Sequence, residues 1–484
     1  MNFYLFKQFF HKLPYFIKKD ISKIKMQPKE NISVHNSHKF SPVFDLSKQY
    51  ASYSNVLKNA TEGEVITRFP PEPSGYLHIG HVKAALLNFH YSRIYKGKMI
   101  LRFDDTNPSK EKVEFVESIM EDLKTLNIDH DKLTYTSDSF KIIEEIMTRV
   151  IKENKAYCDN TAVDEMRKQR MEGIASKCRE QTPEENLKIW EKMLKGEADD
   201  YCVRGKLDMQ AKNKCMRDPV FYRGNKTPHH RTGTQYCCYP TYDFACPIVD
   251  SIEGVTHCLR TNEYADRNEQ YKWVLKATGL RDVTIYDFSR LNFVNTCLSK
   301  RKLQWFVDTK RVESWEDPRF PTLRGILRRG LRVETLIEFM LEQGPSKNTN
   351  LMEWDKIWAI NKKIIDPISP RFTAIAKDKI AHLVLINGPN EVTMVTVPMH
   401  QQNANLGNKL IYHSKNLLLE HEDAATLQVG EKITLMKWGN AKILSVVQKP
   451  DGSLHLEAEY LEEDKDFKTT KKLNWVAEDS CLVK

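Results

Sequence analysis

Two separated clusters carry the side chains best suited to handling phosphate. The first is Arg68-Phe69-Pro70-Pro71-Glu72-Pro73-Ser74-Gly75-Tyr76-Leu77-His78-Ile79-Gly80-His81, and the second is Leu298-Ser299-Lys300-Arg301-Lys302. Val65 to Phe69 is β-branched and aromatic like a strand, and Pro70, Pro71, Pro73 and Gly75 keep the chain out of a helix until about Tyr76. Val82, Ala85, Leu86 and Phe89 then recur at helical spacing, which predicts a helix starting near His78. His78 and His81 share one face of its first turn. Unpaired amides and the helix dipole attract anions there, so two imidazoles can donate to nucleotide phosphates, and Gly80 leaves room for a nucleotide ring. Taken alone, the first cluster reads equally well as a proline-rich turn with two exposed histidines, and the second as a solvated basic face.

The elements around the first cluster form a readable βαβ unit. A strand near 64–69 leads to a helix at about 79–95, the Gly97-Lys98 turn, and the strand Met99-Ile100-Leu101-Arg102-Phe103 ending at Asp104-Asp105. Carboxylates there sit at the carboxyl end of a parallel strand, where α/β sheets bind ligands. Asn107-Pro108 predicts a helix start, with Val113, Val116, Ile119, Met120 and Leu123 as its buried stripe. Charged helices such as Pro183 to Leu194 interrupt the pattern between about 139 and 237, and the sheet is expected to resume at Tyr239 to Ala245 and close near Ser289-Arg290-Leu291-Asn292. A helical module follows at about 301–368, in which Arg324 and Arg328 are four apart on one face, suiting phosphates or simply solvent. Past Arg371 short β-branched runs take over, and Pro450-Asp451-Gly452-Ser453 between two of them is a hairpin signature.

Composition limits the function classes. The 484 residues allow several domains, and 74 Lys plus Arg against 65 Asp plus Glu give a net charge of +9 that suits a polyanionic partner. Ten cysteines without a C-x-x-C pair suggest neither a structural zinc site nor a disulfide framework, and point to a reducing compartment. No apolar run approaches the roughly 18 residues of a membrane span. Residues 1–26 carry five Phe, six Lys and one Asp without Arg, which fits a disordered extension better than an Arg- and Ser-rich mitochondrial transit peptide.

Together the two clusters resemble the HIGH and KMSKS elements of class I aminoacyl-tRNA synthetases, in the form seen in the glutamyl and glutaminyl enzymes. The resemblance covers about residues 64–484. It implies a multidomain α/β chain: an extension at 1–60, a Rossmann-like catalytic domain at 61–138 and 238–300, and an inserted acceptor-stem-binding domain at 139–237. A helical subdomain at 301–368 and carboxyl-terminal β-barrels for the anticodon at 369–484 complete it, with a closing strand in question where the chain stops at Lys484. It also implies ATP with Mg²⁺, an amino acid and a tRNA, in a cytoplasmic enzyme unless residues 1–26 are a transit peptide.

Site roles follow from the resemblance position by position. His78, Gly80, His81, Arg290, Ser299 and Lys300 fall on the ATP side. Lys300 reaches the phosphates as the carboxylate attacks, although Cys297 stands where the motif often begins with lysine. Arg68, Asp104, Tyr242 and Arg260 fall on the amino-acid side, Asp104 for the α-amino group, and Arg324 and Arg328 are candidates for tRNA. The glutamyl form reads L-R-T-x-E-Y-x-D-R where the glutaminyl form reads L-C-T-x-E-F, and this chain has Leu259-Arg260-Thr261-Asn262-Glu263-Tyr264-Ala265-Asp266-Arg267. A guanidinium there neutralises a γ-carboxylate, whereas a neutral cysteine suits an amide. Ser74 also matches the glutamyl form. Glutamate and tRNA(Glu) are therefore the expected substrates; a glutamine enzyme, a silent tRNA-binding scaffold, and a structural ion pair of Arg260 with Glu263 or Asp266 are the alternatives.

Overall fold

The computed structural model describes residues 57–344, 346–348, 351–377 and 380–478, so the expectations for the amino-terminal 56 residues lie outside it. Strand β1 (Ile66–Phe69), helix α1 (Ile79–Ile94) and β2 (Lys98–Phe103) form where the pattern places a βαβ unit. Val82, Ala85 and Leu86 of α1 are buried against the sheet. The return turn is tight: a Cβ on Gly97 would lie 1.9 Å from the Val65 carbonyl oxygen, which accepts the Lys98 N–H at 2.8 Å. Helix α2 (Val113–Thr125) then crosses to β3 (Lys132–Tyr135), and β1, β2 and β3 are parallel.

Helix α2 starts five residues beyond Pro108. The Glu111 side chain accepts the Asn107 N–H at 2.6 Å and the Lys112 N–H donates to the Pro73 carbonyl, so 107–112 closes as a turn against the first motif. Val113 is consequently exposed and Val116 and Met120 are half-buried, while Ile119 and Leu123 are buried as the spacing predicts and Phe115, outside the expected stripe, is buried with them.

Helix α3 (Phe140–Lys152), β4 (Ala156–Asp159), α4 (Val163–Glu172), α5 (Pro183–Leu194), β5 (Cys202–Gly205), β6 (Val220–Gly224) and β7 (Cys238–Pro240) build the insertion. Its four strands form an antiparallel sheet in the order β4-β5-β6-β7. Here the structure departs from expectation, because 238–240 completes this sheet and Tyr242 begins helix α6 (Tyr242–Ile252) rather than extending a strand. The physical reason is packing. Phe244 and Ile248 of α6 enter the core of Ile143, Met147, Trp190 and Phe221, which requires helical spacing.

The parallel sheet is taken up again by β8 (His257–Thr261), helix α7 (Asn268–Thr278) and β9 (Thr284–Phe288). The Thr256 N–H donates to the Ile66 carbonyl at 2.9 Å, which sets β8 along the edge of β1 away from β2. Chain direction across the sheet therefore reverses between β1 and β8, the place where doubly wound sheets open a ligand crevice. Strand β10 (Asn292–Phe293), α8 (Lys300–Asp308), α9 (Leu323–Arg328), α10 (Val333–Gln343), β11 (Leu351–Met352) and α11 (Trp354–Ile365) make up the helical module, with β10 and β11 paired in parallel.

Nine strands follow: β12 (Ile380–Leu385), β13 (Thr393–Pro398), β14 (Asn408–His413), β15 (Asn416–Glu420), β16 (Lys432–Leu435), β17 (Gly439–Gln448), β18 (Leu454–Leu461), β19 (Lys471–Leu473) and β20 (Val476–Ala477). Seven form one mixed sheet in the order β19-β16-β17-β18-β12-β15-β20, and β13 pairs with β14 alone. The pair of barrels implied by the resemblance is represented among the described residues by this sheet and hairpin. The turn signature at Pro450 to Ser453 joins antiparallel β17 and β18, with Gly452 at φ +84°.

Gly97→Ala should destabilise the protein by at least about 2 kcal/mol, because the added methyl meets backbone that cannot retreat without breaking the β1–β2 ladder. A lowered urea midpoint with an unchanged slope would report it; an unchanged midpoint would mean the turn is looser than it looks.

Candidate active site at the split motif

Two neutral histidines open the site. The His78 Nδ1 accepts the Gly80 N–H at 3.1 Å, the His81 Nδ1 accepts the His78 N–H at 3.1 Å, and the two rings stack at 3.7 Å. Both Nδ1 atoms are thus acceptors, which leaves each proton on Nε2 as an outward donor. Burial, together with the charges of Lys300 and Arg290, lowers the His78 pKa to about 3, and burial with the neighbouring His78 holds His81 well below the ordinary imidazole value. A Cβ at Gly80 would meet the His78 ring at 3.0 Å, so glycine between the histidines is a packing requirement. Helix α9 pins the segment, since the Ile79 N–H donates to Pro321 and the Leu323 N–H to Leu77.

The second cluster folds back onto the first. Ser299 occupies the N-cap position of α8, without a side-chain cap, and the Lys300 ammonium donates to the Glu72 carbonyl at 2.9 Å and the Ser74 hydroxyl at 3.3 Å. Burial pushes the Lys300 pKa down to about 8. Arg290 lies near enough to bias the histidines and is ion-paired with Glu263. The second motif, Arg290 and the two histidines therefore converge, as the sequence reading expects.

Behind them lies a buried charge network. The Asp250 carboxylate accepts Arg68 Nε at 3.0 and 3.2 Å, the Tyr271 hydroxyl at 2.8 Å, and Arg102 Nη2. The other Arg102 nitrogen reaches Glu253 at 2.9 Å. Arg68 also donates to the Leu259 carbonyl at 3.1 Å and the Cys258 sulfur at 2.8 Å. Although burial alone would raise it, the two guanidiniums hold the Asp250 carboxyl well below the usual carboxylate range. Arg68 is thus fully engaged in the floor of the site. Sequence reading missed Asp250, and its one signal was an acid on the apolar face of Phe244-Ala245-Cys246-Pro247-Ile248-Val249.

Arg260 is different. It is 5 % exposed, its Nε makes no hydrogen bond, and its guanidinium lies over Tyr264 at 4.9 Å, Tyr271 at 5.4 Å and Tyr242 at 5.9 Å. Among the described residues no carboxylate pairs with it, because Glu263 serves Arg290 and Asp243 serves Arg267. The structural ion pair considered from sequence is absent from them. Tyr242, Asp243, Pro247, Arg260, Arg267 and Gln270 line a small pocket around this cation.

Asp104 presents the converse. Its N–H donates to the Pro71 carbonyl and its carboxylate accepts only the Thr106 hydroxyl, at 3.2 Å. Burial first, reinforced by Glu72, Asp105 and Glu111 against the opposing Arg102 charge, raises its pKa to about 7.

The two arginines singled out for tRNA are placed elsewhere. Arg324 is held by Asp122 at 2.9 Å, Glu316 at 2.9 Å and Glu121 at 2.7 Å, so its charge is spent joining α9 to α2. Arg328 is exposed and donates to the Glu316 carbonyl at 3.0 Å. Helical spacing brought both to one face but could not show that acids already faced Arg324. One group that the sequence reading passed over, Asp105 with His229 and His230, clusters closely enough to hold a metal ion.

Comparison with known proteins gives the family. Residues 64–367 match the family model for the tRNA synthetases class I (E and Q) catalytic domain, and residues 369–460 the anti-codon binding domain of the same class. A cytoplasmic glutamate–tRNA ligase of Arabidopsis thaliana is 52% identical over 430 residues, 88% of this chain and 60% of that protein. Its counterpart in Saccharomyces cerevisiae is 52% identical over 437 residues, 90% and 61% of the two chains. A bifunctional glutamate/proline–tRNA ligase of Mus musculus is 50% identical over 425 residues, 87% of this chain and 28% of that protein. The chain thus spans about three fifths of the length of the first two relatives.

Asp250→Asn should cost about 3–5 kcal/mol of stability, since it strands two buried guanidiniums. Because the folded-state pKa of Asp250 is depressed, the stability it contributes is present above pH ~4 and is lost as pH falls below that. Urea titrations of both proteins at neutral and acidic pH should therefore converge toward low pH; parallel curves would contradict the network.

Proposed function

The chain belongs to the class I tRNA synthetases of the glutamate and glutamine type, and on that premise we propose that it acts as a glutamate–tRNA ligase. The observation that carries the choice of amino acid is Arg260, a buried cation in an aromatic pocket that no acid among the described residues neutralises. A γ-carboxylate satisfies such a group, whereas the amide of glutamine leaves it unpaired. A glutamine enzyme is therefore the weaker reading.

In this reading Arg260 takes the γ-carboxylate between Tyr242 and Tyr264, with Arg68 fixing the pocket floor, and Asp104 takes the α-ammonium. The unmet charges of Arg260 and Asp104 are opposite in sign, as the two ends of glutamate require. The α-carboxylate attacks the α-phosphate of ATP and pyrophosphate leaves. The Nε2–H groups of His78 and His81, together with Lys300, neutralise charge on the phosphates; neutral imidazoles donate without carrying an acidic proton into the step. Mg²⁺ bound with ATP would add positive charge against the phosphates beside Lys300 and the two histidines. A ribose hydroxyl of the terminal adenosine of tRNA(Glu) then attacks the mixed anhydride and AMP departs. Alignment supplies most of the rate, because a carboxylate is already nucleophilic at neutral pH. The anticodon is assigned to the region of residues 369–460, on the family match. The cytoplasm is the proposed location, in line with the names of the relatives.

Arg260→Cys should lower kcat/KM for glutamate at least about 100-fold, the equivalent of about 3 kcal/mol, chiefly through KM. Charging assays with purified tRNA measure it, alongside a thermal melt to show that the fold persists; unchanged glutamate charging would remove the assignment. The depressed Lys300 pKa makes a separate prediction. Its charge is lost as pH rises, so kcat/KM for ATP should fall above about pH 8, and Lys300→Arg should retain a smaller rate but shift that limb upward. A limb at the same pH in both enzymes would assign the titration to another group.

A further inference from the structure

Helix α1 carries a buried lysine that neither motif uses. Lys83 lies two residues past His81, off the face that His78 and His81 share. It is 2% exposed, and its neighbours along the helix, Val82, Ala85 and Leu86, are buried with it. Burial lowers its pKa to about 8, so the group is still an ammonium at neutral pH, and no carboxylate among the described residues pairs with it. A charge taken out of water without a counter-ion is costly, and an apolar side chain would fill the same space.

A single residue offsets that cost. The Lys83 ammonium donates to the Ser289 carbonyl at 2.8 Å and to the Ser289 hydroxyl at 2.9 Å. Hydrogen bonds from an ionised donor are the strong ones, and two of them to one residue fix its orientation as well as its position. Ser289 is 6% exposed, directly follows β9, and donates its own N–H to the Ser346 carbonyl at 2.8 Å. Its N–H, carbonyl and hydroxyl are all engaged. The end of β9 therefore cannot slide along α1 without stranding the ammonium.

The next residue is Arg290. Its charge acts on both His78 and His81, yet its side chain is held by an exposed ion pair with Glu263. Such a pair between long side chains at the surface restrains them weakly. The place of Arg290 is set instead from the backbone, at Ser289, and Lys83 is the side chain that grips it there. Because the histidines begin the same helix, one rigid element carries both the imidazoles and the ammonium that locates Arg290 against them.

We propose that Lys83 is a positioning residue for ATP, tying Ser289 to α1 and so fixing Arg290 beside His78 and His81. The inference rests on the reading of His78, His81 and Arg290 as the ATP side. It assigns Lys83 no contact with the nucleotide: its part is to hold the residue that precedes one. Loss of the ammonium then acts on ATP and leaves the amino-acid pocket of Arg260 and Tyr242 as it was.

The test uses the full chain with Lys83→Met, which keeps the length of the stem and removes the donors, in a double-mutant cycle with Arg290→Gln. Affinity for α,β-methylene ATP with Mg²⁺ is read directly by calorimetry, and the KM values for ATP and glutamate by charging assays. Lys83→Met should weaken binding of the analogue at least about 10-fold and raise the KM for ATP in step, with the KM for glutamate changed less than about twofold. In the Arg290→Gln background the same substitution should have little further effect, since the lysine acts through that arginine. Ser289→Ala, which removes one acceptor and keeps the lysine, should weaken binding about threefold and be equally non-additive with Arg290→Gln; it decides the matter if Lys83→Met does not fold. Unchanged affinity, additive losses, or equal rises in the two KM values would each overturn the proposal. A wild type that binds the analogue but does not charge tRNA(Glu) would overturn the glutamate assignment alone and leave the cycle decisive; one that does not bind it would overturn both.

Discussion

One carboxylate, Asp250, sits between the guanidiniums of Arg68 and Arg102, and the rest of the catalytic region is arranged around that contact. Taking three charges out of water costs several kcal/mol per ion, and only dense hydrogen bonding offsets it. The network supplies that density by drawing on β1, β2, α6, α7 and the backbone of β8 at once. It therefore does for the sheet what hydrophobic packing alone does not: it fixes register and direction, because a slipped strand would leave a bare ion inside. With Arg68 bound below, Arg260 is the cation left facing the pocket.

Satisfied and unsatisfied charge are sharply partitioned. In the insertion, Arg204 pairs with Asp159 and Arg179 with Asp218, and Arg324 answers three acids at the helical module. At the site, by contrast, Arg260 and Asp104 form no ion pair among the described residues, and the histidine pair is held neutral by burial. Ion pairing among the described residues is thus dense in the insertion and the helical module and open at Arg260 and Asp104, whose charges are opposite in sign. The cost of those open charges is carried by the surrounding fold.

Much of this was legible in the residues. The β1–α1–β2 unit, the histidine-bearing helix start, the helical module and the β17–β18 hairpin follow from period and turn chemistry, which act within a few neighbours. What escaped depends on partners far along the chain. The start of α2 moved because the Glu111 side chain took the Asn107 amide and Lys112 met Pro73; Tyr242 became helical because its face was needed by a core built from residues 143–221. Arg324 looked free because Asp122 lies about 200 positions away. His78, His81 and Lys300 were found because family motifs mark them, whereas Asp250 bears no motif and is visible only once the strands are side by side.

The core shared between α6 and the insertion has a consequence for how the chain assembles. Phe244 and Ile248 belong at once to the helix that carries Asp250 and to the interior that holds Trp190 and Phe221. An insertion joined through solvent could be excised or exchanged; this one could not, because removing it would lay an apolar helix face open to water. A disturbance of the insertion's core is therefore a disturbance of α6, the helix that carries Asp250 near its other end.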